Sequence, residues 1–161
     1  MAKKKGEFAF KTNPEKANYR VNINSRMMGI LFVILTLAWT LKFQEFNITM
    51  LAQLVLAIPL LFVSTLSYAK IGYWKETKLW DTFGWFTHNL GTLFVLNVLG
   101  LITALFNKNL AFLYFGLTIS LMAIYSAINC IYKPYELKVK MFKFSFLVGI
   151  LFVGGILPLL I

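Results

Sequence analysis

Most of this chain consists of long apolar runs separated by short charged clusters. Between Glu45 and Lys70, Asp81 and Lys108, and Lys108 and Lys133 there are 24, 26 and 24 consecutive residues without a charge. A helix needs about 20 apolar residues to cross a hydrocarbon core of about 30 Å, so each run is long enough to span a bilayer. Two shorter runs flank them. Met27–Leu41 lies between Arg26 and Lys42, whose long stems can lie along the helix while their charged heads rise to the two interfaces. Phe144–Ile161 closes the chain. The pattern predicts an all-α, polytopic membrane protein with five transmembrane helices in a compact bundle. The spans expected are 27–43, 48–69, 82–106, 109–132 and 143–161, forming a transmembrane domain over 27–161 behind a basic arm, 1–26.

Aromatic residues mark the ends of these runs. Tyr73, Trp74, Trp80, Tyr132 and Tyr135 stand at one boundary, and Trp39, Phe43, Phe46 and Phe106 at the other, as in the belts that flank membrane helices. The first run is not expected to be a cleaved signal: 26 residues precede it, and "LKFQEFN" offers no small-residue cleavage site.

Charge changes the picture by giving it a direction. The arm carries seven basic residues, "KIGYWKETKLWD" three and "KPYELKVKMFK" four, against only Lys42 and Lys108 on the alternate face. The positive-inside bias then predicts a cytoplasmic N-terminus and an outside C-terminus. The net charge of +10 is read as topology plus attraction to anionic headgroups at the cytoplasmic face, and nucleic acid is set aside as a partner. With tight loops and a basic arm, the expected location is the cytoplasmic membrane of a prokaryote. Cys130 is the single cysteine, so no internal disulfide is possible.

Two local signals concern organisation. Asn13-Pro14 reads as a turn. "FNITMLA" at 46–52 resembles "FNKNLA" at 106–111, an offset of two spans that would fit a parallel repeat.

Candidate chemistry is sparse. The only histidine, His88, lies in the third run with Asn89, Thr92 and Asn97. At 100° per residue, Asp81, Trp85, His88, Thr92 and Thr103 share one stripe, Asn89 sits at its edge and Asn97 points away. Lipid satisfies neither an imidazole nor a carboxamide, so these groups are expected to face protein or trapped water. Gln53 and Ser64 in the second span, with Tyr125 and Asn129 in the fourth, complete a candidate intramembrane cluster. Tyr125, Asn129 and backbone carbonyls are the expected partners of His88. Gly116, Ser120, Ala123 and Ala127, together with Gly149 and Gly154, suit close helix packing. Asp81, behind Trp80, is expected to cap the third helix at the interface.

No catalytic set, cofactor or metal is expected. One histidine and one cysteine do not furnish a zinc or haem site, and the six acidic residues all lie outside the runs. The preferred reading is therefore a non-enzymatic membrane subunit, a homo-oligomer or a component of a larger complex. A small-solute or ion pathway between the second, third and fourth helices is the alternative, and a lipid-modifying enzyme built on Asp81 and His88 the third.

Overall fold

The computed structural model describes residues 14–40, 46–71, 78–132 and 137–161. Its elements are α1 (Pro14–Thr40), α2 (Ile48–Ile71), α3 (Lys78–Phe106), α4 (Lys108–Tyr132) and α5 (Leu137–Leu151). A π-helical turn, Phe152–Ile156, carries α5 into a short α6, Leu157–Leu160. All five long helical stretches are long and apolar enough to cross a membrane.

Helix α1 differs most from expectation. It begins at Pro14, more than three turns before Met27, so half of the supposed arm is helix. Proline suits a first helical position because its missing N–H would have had no partner there, and Glu15 meets the positive end of the dipole. The expected turn at Asn13-Pro14 is thus a helix start at Pro14, with Asn13 outside the described residues. The arm's aromatic residues Phe8 and Phe10, and Lys42 and Phe43, also lie outside them.

Asn47 and Asn107 explain the two similar segments. The Asn47 side-chain oxygen accepts from the Thr49 N–H at 3.3 Å, and that of Asn107 accepts from Asn109 at 2.8 Å and Leu110 at 3.2 Å. Each Asn caps the helix that follows by satisfying donors in its first turn. A capping requirement after a phenylalanine accounts for the resemblance locally. Between α3 and α4 the non-helical connection shrinks to Asn107 alone.

Helices consecutive in the chain run antiparallel. Tyr68, Ser64, Leu61 and Gln53 of α2 meet progressively later residues of α3: Gly84, Gly91 and Asn97. Helix α3 is the axis, with 39% of its central residues buried against 11% for α4. One apolar core joins Leu31 and Ile34 of α1 to Leu54, Ala57 and Leu61 of α2 and Val95 and Val98 of α3. A second joins Met50, Leu93, Leu101, Phe115, Leu151 and Leu159. Phe115 is seated between Gly100 of α3 and Gly155 of the π turn, and a Cβ on either glycine would overlap its ring. Such close approach of backbones is how membrane helices gain packing where lipid supplies no hydrophobic drive.

Candidate functional site

The buried polar residues collect into two separate knots on opposite sides of α3. The first lies at the end of the bundle where α1 and α3 begin and α2 ends. Asn24 of α1 is fully buried, with its Nδ2 donating to the Leu61 carbonyl at 3.4 Å and to Thr65 Oγ1 at 3.3 Å. Its Oδ1 lies 2.6 Å from His88 Nδ1. A backbone carbonyl only accepts, so the Asn24 amide must turn its nitrogen to Leu61 and its oxygen to the imidazole. That oxygen also only accepts, so His88 carries its proton on Nδ1. One carbonyl of α2 therefore sets the tautomer of a histidine on α3 through an asparagine on α1.

One helical turn nearer the α1 start, Arg20 donates to the Tyr68 hydroxyl and lies 4.0 Å from the Asp81 carboxylate. Tyr68 is buried and meets His88 edge-on, with ring centroids 6.4 Å apart. Ser64 Oγ donates to the Gly84 carbonyl at 3.0 Å. Asp81 is 1% exposed. The expected interfacial cap is corrected here, because α3 already starts at Lys78 and Asp81 is drawn inside to the Arg20 guanidinium. Trp80 packs beside Ala17, Tyr68 and Ile71.

The second knot lies toward the other end, between α2, α3 and the π turn. Asn97 Nδ2 donates to Gln53 Oε1 at 2.7 Å and to the Ile150 carbonyl at 3.2 Å. Gln53 Nε2 donates to the Gly154 carbonyl at 2.8 Å. Sequence explains this last bond. Gly154 would ordinarily receive a donor four residues on, but that residue is Pro158, which has no N–H. The glutamine supplies the missing donor from a neighbouring helix, as irregular backbone at membrane depth requires. Asn97 Oδ1 is buried without a hydrogen-bond partner and faces the Cα of Gly155, where a Cβ would stand 2.7 Å away.

Of the expected cluster, His88 and Ser64 enter the first knot and Gln53 and Asn97 the second. Asn89 turns to its own helix, donating to the Trp85 carbonyl at 2.6 Å, and Thr92 Oγ1 is buried without a hydrogen-bond partner. Tyr125 and Asn129 do not join His88. Tyr125 is 71% exposed, and Asn129 donates to the Tyr125 carbonyl at 3.0 Å within α4. The Asn129 carbonyl receives Lys140. Within α4, Gly116, Ser120 and Ala127 are exposed and Ala123 half-buried, while Gly149 of α5 is exposed with open space around it. Gly154 alone of the expected packing positions is closely packed within the chain, against Asn97 and Gln53.

Sequence reading missed Arg20, Asn24 and Tyr68, because hydropathy placed the first two in the arm. A signal was present. Ala17, Asn24, Leu31 and Ala38 recur every seven residues and, with Ile34, are the buried positions of α1, the repeat of a helix packed along a left-handed seam. Among the described residues no three metal-ligating side chains gather.

This arrangement defines a class: an integral membrane protein of five helical spans bundled around α3. No protein-family model, curated protein or solved structure matches the chain.

Proposed function

We propose that the protein is a non-catalytic membrane subunit that binds a second copy of itself or a larger membrane partner through α4. It acts with its N-terminus in the cytoplasm and its C-terminus outside, in the cytoplasmic membrane of a prokaryote. One observation carries the reading. The buried side chains of Asn24, Gln53, Ser64 and Asn97 on α1, α2 and α3 are turned inward and donate hydrogen bonds within the bundle, whereas α4 turns Gly116, Ser120, Ala127 and Tyr125 outward. Small residues and hydroxyls on a lipid-facing helix are the features by which membrane helices associate.

The geometry favours this over a solute pathway. The two knots occupy opposite faces of α3, and between their levels Leu61 packs directly on Gly91, with a Cβ position only 2.9 Å from the leucine. A pathway would have to cross that contact and pass around the helix.

The test is the mass of the complex extracted in mild detergent. Wild type is expected to run as a defined oligomer or stoichiometric complex, and Gly116→Leu with Ser120→Leu as a folded monomer. A wild-type monomer that stays monodisperse after extraction in native lipid overturns the reading.

A further inference from the structure

One exposed stripe of α1 changes character abruptly. Leu37, Val33 and Ile30 are 51%, 59% and 47% exposed, and together they make a lipid-facing apolar row. The next positions on the same stripe toward the helix start are Arg26, Asn22 and Tyr19, all exposed. At 100° per residue these six lie within about 80° of each other. Among the described residues Arg26 has no ion pair and no hydrogen bond.

The depth of Arg26 is fixed from a second helix. Arg26 is two residues from Asn24, which bonds His88, and three residues before His88 is Trp85, whose ring lies 5.0 Å from the ammonium of Lys143 on α5. Arg26 thus lies about five residues, roughly 7.5 Å, further into the bundle than Trp85, and on this stripe the exposed α1 positions before it are polar and those after it apolar. From Arg26 to Leu37 the helix rises about 16 Å, the half-thickness of a hydrocarbon core of about 30 Å.

We infer that Arg26 binds the phosphate of an anionic phospholipid, with Asn22 beside it as a further donor and one acyl chain lying along Ile30, Val33 and Leu37. The inference rests on the membrane-spanning reading and adds to it a headgroup site. A guanidinium presents a planar fork of donors that matches two phosphate oxygens. The preference for net negative charge follows from the surroundings. Apart from Lys108, every basic residue of the described segments lies at this end of the bundle, eight of them against Glu15 and Asp81. The site also accounts for an arginine standing unpaired on a lipid-facing helix, a costly arrangement in hydrocarbon alone.

The full chain, reconstituted in equal parts phosphatidylglycerol and phosphatidylcholine, is released into the gas phase and its retained lipids counted. Wild type is expected to retain phosphatidylglycerol preferentially. Arg26→Gln is expected to lower that preference about fivefold, the equivalent of the roughly 1 kcal/mol one basic side chain contributes at an anionic surface. Arg26→Lys should fall between them, and Lys108→Gln should match wild type. Equal retention of both lipids by wild type, or an undiminished preference in Arg26→Gln, overturns the site. Removal of the chain from vesicles by an alkaline carbonate wash would instead overturn the spanning reading, so the two failures are distinct.

Discussion

Asn24 illustrates how much one side chain organises at membrane depth. It spends its two amide donors on α2 and its oxygen on the α3 histidine, so three helices are tied at one point. Interhelical hydrogen bonds in membranes average only about 0.6 kcal/mol, because a chain loosened within lipid finds other partners. Asn24→Leu is therefore expected to lower stability by about 2 kcal/mol, the sum of three such bonds, as read by reversible denaturation in mixed micelles. Solid-state nitrogen spectra should show His88 protonated at Nδ1 in wild type and a mixture of tautomers in the variant. An unchanged tautomer in Asn24→Leu would contradict the relay from Leu61.

At the scale of elements, the fifth span shows why irregular helix is tolerated here. Pro158 removes a donor, the helix widens into a π turn over Phe152–Ile156, Gln53 donates to the freed Gly154 carbonyl, and Asn97 bonds the Ile150 carbonyl one turn earlier. The same turn brings Gly155 against Phe115 of α4. Forcing a side chain into that contact is overpacking, which typically costs about 1–3 kcal/mol. Gly155→Val is expected to destabilise by an amount in that range, and Phe115→Ala to recover part of it. Strictly additive losses in the double variant, measured by the same denaturation, would mean that the ring and the glycine do not meet. Pro59 makes a contrast within α2. It also denies a carbonyl its donor, yet it lies on an exposed face and the helix continues through it.

For the whole molecule, the first-order facts are an odd number of spans and a strong separation of charge. Five crossings would put the two chain ends on opposite faces of the membrane. A reporter active only in the cytoplasm, fused in turn to each end, is expected to respond at the N-terminus and stay silent at the C-terminus. A response at both ends would remove the five-span arrangement and the sidedness together. The outward face of α4 belongs to this scale too: a span with 11% of its centre buried contributes less to the chain's own core than to its boundary with lipid or a partner.

The presence of five long apolar helices and the clustering of cations at one end were legible in the residues alone. The reason is that crossing hydrocarbon is a demand on local composition: about twenty apolar residues in a row, whatever lies beside them. The inward turn of the polar residues on α2 and α3 was partly legible for the same reason, since His88, Asn97 and Gln53 had to find protein. Which protein was decided only by the tertiary structure. An asparagine or glutamine can bond to almost any polar neighbour, so the choice between Asn24 and Asn129 as partner of His88 depended on where α1 begins and how each helix is rotated about its axis. Those quantities come from side chains such as Phe115 and Leu61 finding glycines on other helices, a fit between distant residues that no single run of the chain contains.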